Sequence, residues 1–65
     1  MKLGDAVRDT VTGFVGVAVA RIERLKGATA IGVQSKQLHE GKVIEEWFEE
    51  GRLEVISAKE LAKAA

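Results

Sequence analysis

The chain has 65 residues, with ten basic side chains, ten acidic ones, one histidine and no cysteine. A single domain follows; disulfides are excluded, a structural zinc site cannot be built on His39 alone, and the balanced charge argues against a general electrostatic grip on nucleic acid. There is no run of roughly 18 apolar residues to span a membrane, and Met1-Lys2-Leu3-Gly4-Asp5 lacks the apolar core of a signal peptide, so the expected compartment is the cytoplasm.

Glycine punctuates the chain and proline is absent. Residues 3–9 read as a first strand with Val7 inward, followed by a loop over 9–13 in which Thr12-Gly13 supplies positive φ. Residues 14–24 read as a long second strand. Its segment Phe14-Val15-Gly16-Val17-Ala18-Val19-Ala20 is apolar or small throughout. A half-buried strand alternates apolar and polar, so this one asks for cover on both faces. Gly16 inside it suggests a bulge, a bend or a close backbone approach.

Leu25-Lys26-Gly27 reads as a three-residue hairpin loop with Gly27 left-handed, leading to a third strand over 28–34. If Arg24 pairs with Ala28, Ala20 sits opposite Gly32, Ile22 opposite Ala30 and Val19 opposite Val33. Side chains then sort by size. Val15, Val17, Val19, Ile31 and Val33 form a large face, the expected core. Gly16, Ala18, Ala20, Ala30 and Gly32, with Phe14 at the start of the series, form a flat small face. A two-residue turn at Lys26-Gly27 would scramble that sorting.

A polar loop over 35–42 turns at Gly41. Residues 43–48 give a fourth strand, 49–52 a tight turn of 3₁₀ type, and 53–56 a fifth strand. Ser57 and Glu60 have the spacing of a capping box, and the tail is too short to hold as a helix unless it docks. The expected fold is all-β: a small five-stranded SH3-like barrel or a strongly bent antiparallel sheet over 1–56, with a short C-terminal helical tail over 57–65. Gly4-Asp5 and the element from Trp47-Phe48 to Leu53-Glu54 resemble parts of SH3-like barrels. In those, the last strand follows a one-turn 3₁₀ segment and pairs near the first. The alternative is an open sheet that becomes a barrel only through a partner.

A chain of this length buries only about 60% of the surface its unfolded form exposes. With disulfides and metal set aside, self-association is the remaining aid. The expected interface is the small face: Phe14, Gly16, Ala18, Ala20, Ala30 and Gly32. Arg21, Arg24 and Lys26 crowd the hairpin end and Lys36 falls beyond the third strand; such cations bind phosphate or merely protect a strand end. Gln34 offers an amide to a base or ribose edge. Trp47 and Phe48 are adjacent, so one enters the core and the other is surface, interface or stacking platform. His39-Glu40 has no neighbour at ligand spacing, and Glu45, Glu46, Glu49 and Glu50 read as a solvated rim. With no phosphate loop, catalytic triad or metal cluster, no enzymatic activity and no cofactor are expected.

Gly4-Asp5, Val7, Val11-Thr12-Gly13-Phe14, Gly16, Ala18, Arg21, Leu25, Gly27, Gly32-Val33-Gln34, Gly41-Lys42, Trp47-Phe48 and Leu53-Glu54 together resemble a family of very short proteins encoded by phages and prophages. Members often carry an aromatic residue before the loop leucine and a proline after the glutamine, where this chain has Arg24 and Ser35. The resemblance implies a non-enzymatic protein acting in the bacterial host cytoplasm. By analogy with other small phage proteins, it would be a homo-oligomer that sequesters an anionic nucleotide immune signal between subunits. Arg21, Arg24, Lys26, Gln34, Lys36 and Trp47 would contact that ligand. The alternatives are an adaptor docking on a host or virion protein, and a weak nucleic-acid binder.

Overall fold

The computed structural model describes residues 1–64, and for residues 37–39 and 64 the backbone alone. Five strands follow one another: β1 Ala6–Asp9, β2 Val15–Ile22, β3 Ala30–His39, β4 Lys42–Glu49 and β5 Leu53–Val55. A 3₁₀ turn at Glu50–Arg52 joins β4 to β5, and α1 Ala58–Ala64 ends the chain. All pairings are antiparallel and the order is β4-β3-β2-β1-β5. The last strand thus lies beside the first after a single 3₁₀ turn, as expected. β4 and β5 do not pair, however, so the sheet is bent but not closed into a barrel.

Local chemistry explains the boundaries. Before β1, Gly4 takes φ +96° in a turn closed by the Lys2 N–H on Asp5 Oδ2 at 2.8 Å. The Gly4 N–H then bonds Ala18 O at 2.7 Å, and the Ala18 N–H bonds Asp5 O at 3.0 Å. Residues 3–5, expected as strand, therefore tie the turn to β2 instead of extending β1. The hairpin between β2 and β3 has Gly27 at φ +99°, the left-handed position expected of it. Beyond Gln34, where a polar loop was expected, β3 runs on to His39 and turns through Glu40-Gly41. Both turn residues have positive φ, 55° and 78°, the requirement of a two-residue hairpin whose twist matches its strands.

The core consists of Val7, Ala18, Ile31 and Val33, with Phe14, Phe48 and Leu53 packed against it. This overturns the size-sorted faces. The register between β2 and β3 shifts between Ala18 and Ala20, leaving Val19 as an extra residue; Ala18, not Val19, lies opposite Val33. A bulge reverses which side chains face inward. On one side of it Ala18 enters the core; on the other the expected pairs Ala20–Gly32 and Ile22–Ala30 hold. The irregularity sits at Val19 rather than Gly16. Gly16 is instead a close approach, since a Cβ there would fall 2.2 Å from Gln34 O.

On the opposite face, Arg8 pairs with Glu54 and reaches Glu60 of α1 at 3.6 Å. Ser57 Oγ accepts the Glu60 N–H at 3.1 Å, capping the helix as its spacing predicts. The helix lies against β1 and β2, with Ile56 and Leu61 buried. No helix among the described residues is long and apolar enough to cross a membrane.

Two substitutions test this packing. Ala18→Glu places an unpaired carboxylate at a site only 1% exposed and should abolish the cooperative thermal transition. Gly16→Ala should lower stability by about 1–3 kcal/mol or more in chemical denaturation, because backbone rather than a flexible side chain stands in the way.

Candidate functional site

The most constrained group is Asp9, buried at the end of β1. Its Oδ2 accepts the Thr12 N–H at 2.8 Å and the Thr12 hydroxyl at 2.5 Å. Arg52 grips it with Nε on Oδ1 at 2.9 Å and Nη2 on Oδ2 at 2.7 Å. The Arg52 side-chain bonds, then those of Thr12, hold this carboxyl well below the usual range, against the opposing effect of burial. The Asp9 main chain joins in, its N–H on Phe14 O at 2.8 Å and its carbonyl accepting from Gly13 at 2.9 Å. Thr10 binds Arg52 O through both N–H and hydroxyl. With both carboxylate oxygens occupied, Asp9 is a clamp between the β1–β2 loop and the 3₁₀ turn, not an acid or base for chemistry.

The clamp also sets a surface. Arg52 lies 5.4 Å from the centroid of Phe48, and Phe48 lies 5.5 Å from Phe14. These rings form one wall of an open groove of about 420 Å³, lined by Thr12, Phe14, Ile44, Glu46 and Phe48. It lies between the β1–β2 loop and β4. Its lining holds one ionisable side chain, Glu46, which has no ion pair or hydrogen bond among the described residues.

The other face of β4 carries Trp47, opposite Gly32 of β3. The indole lies across that glycine, where a Cβ would meet its ring carbons at 3.1–3.3 Å. Trp47 nevertheless remains 45% exposed, with Ile22 and Val43 exposed as well. Gln34 donates its amide to Glu45 at 3.2 Å, and the pairings Gln34–Glu45 and Gly32–Trp47 put all four on one face. Phe48 is thus the inward aromatic and Trp47 the outward one.

The expected interface residues are divided. Gly16 and Ala18 are buried inside the chain and Phe14 lines the groove, while Gly32 lies under Trp47, paired with Ala20, and Ala30 stands two residues before it on β3. The expected cation cluster is also divided. Arg21 binds Glu50 at 2.7 Å and Glu23 at 3.0 Å, and the first of these contributes most to raising its pKa. Arg24 donates to Ala28 O at 3.4 Å, and neither Arg24, Lys26 nor Lys36 has a carboxylate partner among the described residues. The His39 side chain lies outside the described residues. No three His, Asp or Glu side chains among the described residues are placed to hold a metal ion. The Asp9 clamp and the groove were not anticipated; the Asp9…Thr12-Gly13 spacing, typical of a side-chain-closed turn, is the signal that could have found them.

No protein-family model matches the chain, and no curated protein or solved structure is detectably similar to it.

Asp9→Asn should lower Tm by on the order of 10 °C or more. Because the folded carboxyl is more acidic than its ordinary 3.8, the unfolded chain takes up its proton first, and stability falls as pH drops below that value. Denaturation midpoints between pH 2 and 5, on the order of those carboxyl values, should therefore show a steeper acid loss in wild type than in Asp9→Asn.

Proposed function

We propose that the chain is a non-enzymatic, phage-type binding protein that works as a homo-oligomer in the bacterial cytoplasm and holds a small anionic nucleotide signal between its subunits. The observation that carries this reading is Trp47. A large aromatic side chain lies across Gly32 and is left half in water, with Ala20 paired to that glycine on the next strand. Such a platform stacks a planar base with little dependence on its identity. Gln34 stands on the same face with an amide suited to a base or ribose edge. Lys36, exposed and without a carboxylate partner, supplies charge for phosphate. Arg21 is removed from the expected ligand set by its two ion pairs. The balanced charge of the chain continues to weigh against a general nucleic-acid grip.

A second reading, an adaptor that docks on a host or virion protein through the same aromatic, is favoured by one observation. Glu45 and Glu49 share the face of Trp47, and acids beside a platform suit a basic protein surface better than a phosphate.

Light scattering after size exclusion should give a mass above that of one chain. Calorimetry against cyclic ADP-ribose isomers and cyclic dinucleotides should give heat with at least one of them. Trp47→Ala should weaken that binding roughly 10- to 100-fold, the scale of one lost base stack. A strictly monomeric protein that binds none of these compounds overturns the reading. One stoichiometric protein from host lysate, with no ligand heat, selects the adaptor.

A further inference from the structure

We infer that copies of this chain associate head to tail, the tip of the β2–β3 hairpin of one copy seating Leu25 in the groove between Phe14, Ile44 and Phe48 of the next. This rests on the homo-oligomer reading above and gives it a specific interface. Leu25 is fully exposed and so occupies no site on its own chain. The pairing of Ile22 with Ala30 closes the hairpin behind it. Held at the hairpin tip, this apolar side chain is free to enter a second molecule. Arg24 and Lys26 flank it, and neither has a carboxylate partner among the described residues.

The groove has the complementary character. Its walls are aromatic and aliphatic, its volume of about 420 Å³ readily admits a leucine, and its single charged side chain is an unpaired carboxylate, Glu46. Glu45 and Glu49 stand with Trp47 on the opposite face of β4, so Glu46 is the acid of β4 that faces the slot. An apolar plug between two cations fits an apolar slot that holds one unpaired acid, and opposite charge sets the register of such a contact. Plug and slot are different patches of the molecule. The contact is therefore heterologous and propagates into a ring or an open filament rather than a two-fold dimer.

The decisive property of a heterologous contact is that its two halves can be spoiled separately. Leu25→Asp damages the plug and Glu46→Lys the slot, and both positions are exposed, so the fold is not at stake; thermal melts verify this. By sedimentation equilibrium, each variant alone should self-associate roughly 10- to 100-fold more weakly than wild type, the scale of one leucine returned to water. Mixed together, the two should form pairs and stop there, since Leu25→Asp still offers a slot and Glu46→Lys still offers a plug. Mixing Glu46→Lys with Arg24→Glu/Lys26→Glu should restore association by reversing both partners' charges. If wild type is an oligomer that Leu25→Asp leaves intact, this interface is wrong and the homo-oligomer reading stands. If wild type stays monomeric up to millimolar concentration, both fail. A mixture that does not pair, or a groove occupied by a different protein in a monomeric complex, likewise overturns the inference.

Discussion

Two charged side chains, Asp9 and Arg52, 43 residues apart in sequence, clamp the β1–β2 loop to the 3₁₀ turn at the end of the β1–β5 pairing. The carboxylate is out of water and each of its oxygens is engaged. A buried charge is tolerable only when its partners are complete, so four donor bonds must form together or not at all. That condition sets the shape of the β1–β2 loop, through Thr12 and Gly13, and the position of the 3₁₀ turn, through Arg52. It also places the guanidinium beside Phe48 and hence Phe48 beside Phe14. The groove is in this sense a by-product of an ion pair: its aromatic wall stands where the clamp puts it.

The sheet itself was largely legible. Gly27 announced its hairpin because positive φ at that point of a three-residue loop is cheap only for glycine. The pairs Ala20–Gly32 and Ile22–Ala30 followed from counting outward from that loop. Counting failed at Val19, where one residue drops out of the ladder. A bulge there carries no mark, because Val19 sits among residues equally suited to a regular strand. The failure mattered, since a single skipped residue exchanges the two faces and moves Ala18 from an expected surface to the core. The extension of β3 was missed for a different reason. Glu40-Gly41 is a weaker hairpin signal than an Asn or Asp before glycine, and the polar residues leading to it read as loop.

Of the candidate site, the division of labour between Trp47 and Phe48 was legible as a division but not as an assignment; the register settles it. The basic hairpin end was legible as charge but not as pairing. Arg21 meets Glu50 across 29 residues of sequence, a contact that only the folded sheet creates. The groove was invisible because its lining comes from the β1–β2 loop and alternate positions of β4, neither of which carries a motif. The small residues also proved to have two jobs. Gly16 admits a neighbouring backbone, whereas Gly32 admits an indole; a string of small residues does not distinguish the two.

The placement of β5 beside β1 has a bearing on how the molecule comes into being. Val7 waits for Val55, so in a growing polypeptide β1 keeps one side of its main chain unsatisfied until β5 has been made. Hairpins β2–β3 and β3–β4 join neighbours and can assemble as they emerge from the ribosome; the final seam cannot, and long-range seams are the slow ones. Until that seam closes, the part-built sheet is most exposed to sticking to strangers, and the row of charges along β4 guards the other open edge meanwhile.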